Sequence, residues 1–196
     1  CVKINQKPIN ISGASEGQAR RERGISHVPE DRQHEGLIME FTAWENSIFG
    51  YHTDNQLYNG IFMNSRAIKV EASARMDRFD VRPPDLRLRA RSFSGGNQQK
   101  IVLAREIEQD PDILLVGQPT RGVDIGAIEF IHQQIMALRD RGKAILLISV
   151  ELDEILSLSD RIAVMFDGRI MGERLAKETD EKELGLLMAG VALETK

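Results

Sequence analysis

At 196 residues, with 41% hydrophobic and 29% charged side chains, the chain has ordinary globular composition and enough length to bury a sizeable core. Its 26 Lys and Arg against 30 Asp and Glu, with only 5% aromatics, give no basic footprint or stacking surface, so no nucleic acid partner is expected. The single cysteine, Cys1, excludes an internal disulfide and a thiolate metal cluster, and no stretch approaches the roughly 20 apolar residues of a membrane-spanning helix.

The opening residues CVKINQKPIN lack the apolar core of a secretory signal. Val2 and Ile4 alternate with Lys3 and Asn5, so residues 2–11 read as a short polar-faced hairpin. A chain that starts in mid-structure and without methionine reads as a fragment. Residues 12–23 are polar and end in a basic cluster, the pattern of a solvated helix or loop, and residues 24–28 form a short buried strand stopped by Pro29. The stretch 30–91 is mainly helical, an insertion after that strand. It holds a helix over 65–79 opened by a Ser65 cap, the turn cluster DNQLYNG and the breaker pair Pro83-Pro84.

From Ser94 the pattern becomes regular. A helix over 94–109 carries Gly95 and Gly96 in its first turn, and the apolar run 113–116 follows Asp110-Pro111. A second helix over 126–140 aligns Ile128, Ile131, Ile135 and Leu138 on one face, and Ala144–Ile148 is a second unbroken apolar run. Continuous apolar strands separated by helices predict parallel strands covered on both faces, hence an α/β fold. Residues 162–166 and 169–171 predict a hairpin around Asp167-Gly168, and a charged helix follows from Thr179.

The chemistry concentrates in Ser92-Phe93-Ser94-Gly95-Gly96-Asn97-Gln98-Gln99-Lys100. A serine and two glycines at a helix start expose unpaired amides, permit close approach and place the positive end of the helix dipole toward an anion. Alone, this is no more than a helix cap. After it, however, come the run 113–116 and then Gln118-Pro119-Thr120-Arg121-Gly122-Val123-Asp124. That order and spacing resemble the ATP-binding cassette ATPases of ABC transporters, with FSGGN at the signature and TRGVD at the D-loop.

The resemblance implies part of a P-loop NTPase fold, with a mainly parallel sheet core and an inserted α-helical subdomain. Residues 1–30 would hold the N-terminal hairpin and a Q-loop-like strand. Residues 31–110 would form the helical subdomain with the signature, and 111–196 the Walker B strand, D-loop and C-terminal part of the core. It implies that Ser94, Gly95, Gly96 and Asn97 meet ATP held by a partner cassette packed head to tail, and that Asp124 couples the two sites. ATP and Mg²⁺ are the implied cofactors. Permease subunits and, indirectly, a substrate-binding protein are the implied partners, at the cytoplasmic face of the cell membrane. A finer likeness lies in Val28-Pro29-Glu30-Asp31-Arg32, Gly36-Leu37 and Glu45-Asn46, which is similar to the second cassette of double-cassette importers for simple sugars and nucleosides. Glu30 stands there in the place of the Q-loop glutamine, and residues 30–46 are candidates for transmitting motion. The plainer alternative makes Glu30 and Arg32 a surface ion pair of little worth.

Three positions depart from the pattern. Aligned on Pro119-Thr120, the metal-organising aspartate is Gly117 and the water-activating glutamate is Gln118. Glycine orients nothing, and an amide is no general base at neutral pH. Val150 stands where the switch histidine is expected. No G-x-x-x-x-G-K-[ST] run occurs: the Gly142-Lys143 pair has Ala137 at the first-glycine position and Ala144 after it. In the resembling family the P-loop precedes the stretch where this chain begins, so it is expected upstream. The histidines, His27, His34, His52 and His132, are scattered, and no metal site is expected. The reading is therefore a cassette whose signature serves its partner while its own site is hydrolytically degenerate and, as this chain alone, inactive. A regulatory or interaction cassette that never hydrolyses is the alternative. Soluble relatives acting in DNA repair or translation would require a coiled-coil insertion or a basic surface, and the sequence has neither.

Overall fold

The computed structural model describes residues 2–4, 7–9, 16–51, 57–59 and 62–191. An antiparallel pair, β1 (Val2–Ile4) and β2 (Lys7–Ile9), opens the chain as the hairpin reading expects; residues 5, 6, 10 and 11 of that reading lie outside the described ones. Helix α1 (Glu16–Arg21) leads to β3 (Ile25–Val28).

One turn of π-helix (Arg32–Gly36), capped by the Asp31 carboxylate, starts the inserted stretch. It continues through α2 (Ala43–Ser47), a two-residue antiparallel pair of β4 (Tyr58–Asn59) and β5 (Phe62–Met63), and α3 (Ser65–Arg78). The expected Ser65 cap is corrected by one residue. Asn64 caps α3, its Oδ1 accepting the Ala67 N–H at 3.1 Å, and Ser65 is the first helical residue; Asn and Ser are near-equal caps, so adjacent ones are not separated by type.

Helix α4 (Gly95–Ile107) is followed by β6 (Ile113–Gly117), α5 (Ile125–Asp140) and β7 (Ala144–Ile148). Strands β3, β6 and β7 form one all-parallel sheet with β6 in the centre, Ile25 opposite Ile113 and Ile113 opposite Ala144. Val28, Leu114 and Val116 pack with Ile101, Leu103, Ile131, Ile135 and Leu138 of α4 and α5 into the main core. The expectation of cover on both faces is corrected for β7. Ile145 and Leu147 face the core, but Leu146 is 56% and Ile148 60% exposed among the described residues. An unbroken apolar run records that both faces are apolar, not that both are covered.

Helix α6 (Leu152–Leu158) precedes the hairpin of β8 (Arg161–Phe166) and β9 (Arg169–Leu175). Asp167 and Gly168 turn it with φ of 46° and 72°, both positive as a type I′ turn requires. The expected charged helix is α7 (Glu181–Met188), which buries Leu184 and Leu187 against Ile162 and Val164 in a second core. No helix among the described residues is long and apolar enough to cross a membrane.

Candidate functional site at the strand ends and the start of α4

The parallel strands all run toward one edge of the sheet, where β3 gives way to Pro29 and Glu30, β6 to Gln118, and β7 to Ser149 and Val150. Ligands of open α/β sheets gather at such carboxyl ends. Gly117 closes β6 opposite Ile148, and the Gln118 N–H donates to the Ile148 carbonyl at 2.8 Å. Gln118 sits at φ 44°, a left-handed conformation that costs a side-chain-bearing residue free energy. Gly117 lies under the Glu30 backbone, where an added Cβ would stand 3.1 Å from the Glu30 nitrogen. Val150 is exposed at the same edge.

Ser94 caps α4 from an extended conformation, as its sequence predicts. Its Oγ accepts from the Asn97 side-chain amide at 2.9 Å, and the Asn97 Oδ1 accepts the Arg82 N–H at 2.6 Å. The Ser94 Oγ also accepts the Asn97 N–H at 3.5 Å, which leaves the first-turn amides of Gly95 and Gly96 without intrahelical acceptors. Asp124 caps α5 in the same way, its Oδ1 accepting the Ala127 N–H at 3.0 Å.

These two caps touch. A Cβ on Gly96 would come within 2.9 Å of Asp124 Oδ2, and one on Gly95 within 2.7 Å of the Gly122 carbonyl. Gly122 itself has φ +64°. The glycines thus let the 120–124 loop lie against the helix start.

Glu30 does not pair with Arg32. Its carboxylate accepts from Arg121 Nη1 at 2.6 Å, both side chains more than half exposed, so this ion pair adds little stability. Arg32 instead donates from Nη1 to the Arg121 carbonyl at 2.6 Å and from Nη2 to the Gly122 carbonyl at 3.2 Å. Partial burial holds its guanidinium below the usual range, and Asp31 alongside opposes that shift. Gln33 donates its Nε2 to Gln98 Oε1 at 3.0 Å, and Gln98 in turn donates to the Ala90 and Phe93 carbonyls. Residues 30–34 with Arg121 and Gly122 line a cleft of about 290 Å³.

Of the residues singled out in the sequence, Ser94, Gly95, Gly96, Asn97 and Asp124 form one contiguous surface. Glu30 joins it through Arg121, while Gly117, Gln118 and Val150 lie along the strand ends. Arg82 has no role in the sequence reading, and Arg32 and Gln33 enter it only within the 30–46 stretch and Gly122 only within the TRGVD loop, with no contact between them foreseen. Arg32 and its carbonyl acceptors stand 89 and 90 positions apart, and no local pattern announces such a contact.

A profile of the ABC transporter family matches residues 2–121. Among similar proteins, the guanosine import ATP-binding protein NupO of Bacillus subtilis (strain 168) is 48% identical over 170 residues, 86% of this chain and 33% of that protein. The nucleoside import ATP-binding protein NupA of Lactococcus lactis subsp. cremoris (strain MG1363) is 46% identical over 186 residues, 95% of this chain and 35% of that protein. The chain thus spans about a third of the length of these relatives. The dimeric ATP-binding cassette MJ0796 bound to ADP and Pi superposes with a TM-score of 0.69 at 24% identity, covering 88% of this chain and 72% of that one, a likeness of fold. With that profile matching more than half of the chain and relatives of 46–48% identity covering most of it, the chain belongs to the ABC transporter family, as part of an ATP-binding domain.

Proposed function

We propose that this chain supplies the signature half of an ATP site completed by a partner cassette, within the ATP-binding subunit of an importer for a nucleoside or simple sugar. The observation that carries this is the start of α4, where Ser94 fixes the cap and Gly95 and Gly96, lacking side chains, let the 120–124 loop lie against the first turn. Ser94, Gly95, Gly96 and Asn97 would meet the phosphates of ATP, a bound anion suited to a helix start. Nucleosides are favoured over sugars by the two relatives named above, both nucleoside or guanosine importers by name.

The chain's own strand ends do not fit Mg²⁺. Gly117 carries no side chain, Gln118 is neutral, and the Glu30 carboxylate is engaged by Arg121. No metal-dependent step is therefore assigned to residues of this chain, and Mg²⁺ belongs with the partner's site. Val150 likewise has no group to bond a γ-phosphate. The own site is thus hydrolytically degenerate, with Gln118 at the catalytic position, while ATP turnover at the partner's site drives the permease between its access states. Asp124, set against Gly96, couples the two. Residues 1–30, 31–110 and 111–196 divide into strand-and-hairpin, signature-bearing helical and C-terminal core portions. The assembly sits at the cytoplasmic face of the cell membrane with its permease subunits, and a substrate-binding protein feeds it indirectly.

The altered strand ends also favour a second reading, a cassette that never takes part in hydrolysis and serves dimer and permease contacts alone. Gly95→Asp separates the two. A carboxylate at the signature opposes the phosphates, so ATP turnover of the complete importer falls by on the order of 100-fold or more under the first reading. Unchanged turnover would establish the second.

A further inference from the structure

The Arg32 guanidinium occupies an unusual place. Its two terminal nitrogens reach successive carbonyls, Arg121 at 2.6 Å and Gly122 at 3.2 Å, while its Nε is buried with no hydrogen-bond partner among the described residues. The same group abuts the signature: a Cβ on Gly95 would lie 2.6 Å from Arg32 Nη2, and one on Gly122 would lie 3.4 Å from it. Gly95 therefore makes room for this planar cation, while Gly122, at φ +64°, supplies the left-handed turn beside it. Gln33, the next residue, fastens the same turn to α4 through Gln98 at 3.0 Å.

We infer that Arg32 is the positioning residue of this half-site, a wedge between Gly95 and Gly122 that sets the D-loop against the signature helix. The inference rests on the half-site reading above and adds to it the part that fixes its geometry. The residue type follows from the contact. A planar fork meets two neighbouring carbonyls at once, which the single ammonium of lysine does not reproduce. The consequence for Gly95 is a second requirement besides phosphate approach, because any side chain there meets Arg32 and the Gly122 carbonyl together. The consequence for Asp124 is that its place beside Gly96 depends on a residue far away in sequence. Displacements of about 1 Å at a reacting site cost on the order of 100-fold in rate, so a wedge that sets loop against helix affects turnover more than affinity.

The test uses the complete importer, with Gly95→Asp as reference. Arg32→Ala is expected to lower kcat about tenfold or more, with KM for ATP changed less than about threefold. Arg32→Lys is expected to recover less than half of that loss. Amide hydrogen exchange should quicken at Asn97, Gln98, Val123 and Ala127, whose N–H groups bond Ser94, Thr120 and Asp124, in both variants and stay unchanged in β8 and β9. Wild-type kcat and exchange in Arg32→Ala, in a preparation where Gly95→Asp is inactive, would overturn the inference alone. Full turnover in Gly95→Asp would instead bring down the half-site reading and the inference with it. Where Arg32→Ala fails to assemble, Arg32→Lys decides: wild-type kcat and exchange there overturn the inference, and a lowered kcat with faster exchange at the two loops supports it.

Discussion

Gly95 and Gly96 owe their missing side chains to different neighbours. Gly95 gives way to the Gly122 carbonyl and the Arg32 guanidinium, Gly96 to the Asp124 carboxylate and the Ala127 methyl. The Gly96 contact yields a stability experiment independent of ATP. A methyl at position 96 pushes Asp124 away from the Ala127 N–H, so Gly96→Ala forfeits the α5 cap, about 1 kcal/mol. Asp124→Ala forfeits the same cap, and thermal unfolding of the double variant should show the two losses overlapping rather than adding. The Ser94 cap was legible in sequence because a helix cap is a local device, written in four adjacent residues. What the glycines make room for was not legible, since the 120–124 loop and Arg32 arrive from distant parts of the chain.

At the scale of elements, α4 is held by polar groups inside an apolar shell. Arg105 and Glu106 are both almost fully buried, their side chains paired at 2.8 Å, and Glu106 also accepts from the Tyr51 hydroxyl at 2.7 Å. Arg105 reaches the Asn46 carbonyl, and the Asn46 side chain in turn bonds the Ile38 N–H and the Ile38, Phe41 and Thr42 carbonyls. One buried amide thus fixes the loop that leads into α2. Asn46→Ala leaves those backbone groups unpaired and should cost about 2–3 kcal/mol, read as a lower urea midpoint with unchanged slope.

Tyr51 adds a pH dependence. Burial, and next the Glu106 carboxylate, push its hydroxyl from 10.0 up to about 12. Above pH 10 the unfolded chain loses this proton while the folded one keeps it. Stability from Tyr51 is therefore whole below pH 10 and is lost as pH rises through about 12. The urea midpoint of the wild type should fall across that window more steeply than that of Tyr51→Phe. Periodicity foretold α5, which buries Ala127, Ile131, Ile135 and Leu138 along one face, whereas α4 is buried on nearly every side. Periodicity did not foretell the open face of β7, since Leu146 and Ile148 are as apolar as Ile145 and Leu147. Nor did it show the β4–β5 pair, four residues of strand set among turn residues.

For the molecule as a whole, the proposal makes the signature surface and the strand ends halves of different sites, and ATP binding tests it. The signature start offers the amides of one helical turn, and the sequence as given contains no G-x-x-x-x-G-K-[ST] run. Calorimetry on this chain should find ATP affinity no tighter than about millimolar, and micromolar binding would contradict the half-site reading.

The parallel sheet also has a consequence in time. Ile25 pairs with Ile113, yet everything between them must be synthesised before that pairing can form. At ordinary elongation rates β3 waits roughly 4 to 18 seconds for its neighbour, its hydrogen-bonding edge unpaired against β6 throughout. The two halves of the signature machinery share that schedule: α4 emerges complete, but Arg32 has no carbonyls to grip until residues 121 and 122 follow. A ribosomal pause inside the inserted stretch therefore prolongs the exposure of β3, whereas a pause after β7 does not. Codon changes that slow translation between residues 30 and 110 should lower the yield of folded protein more than the same changes after residue 150.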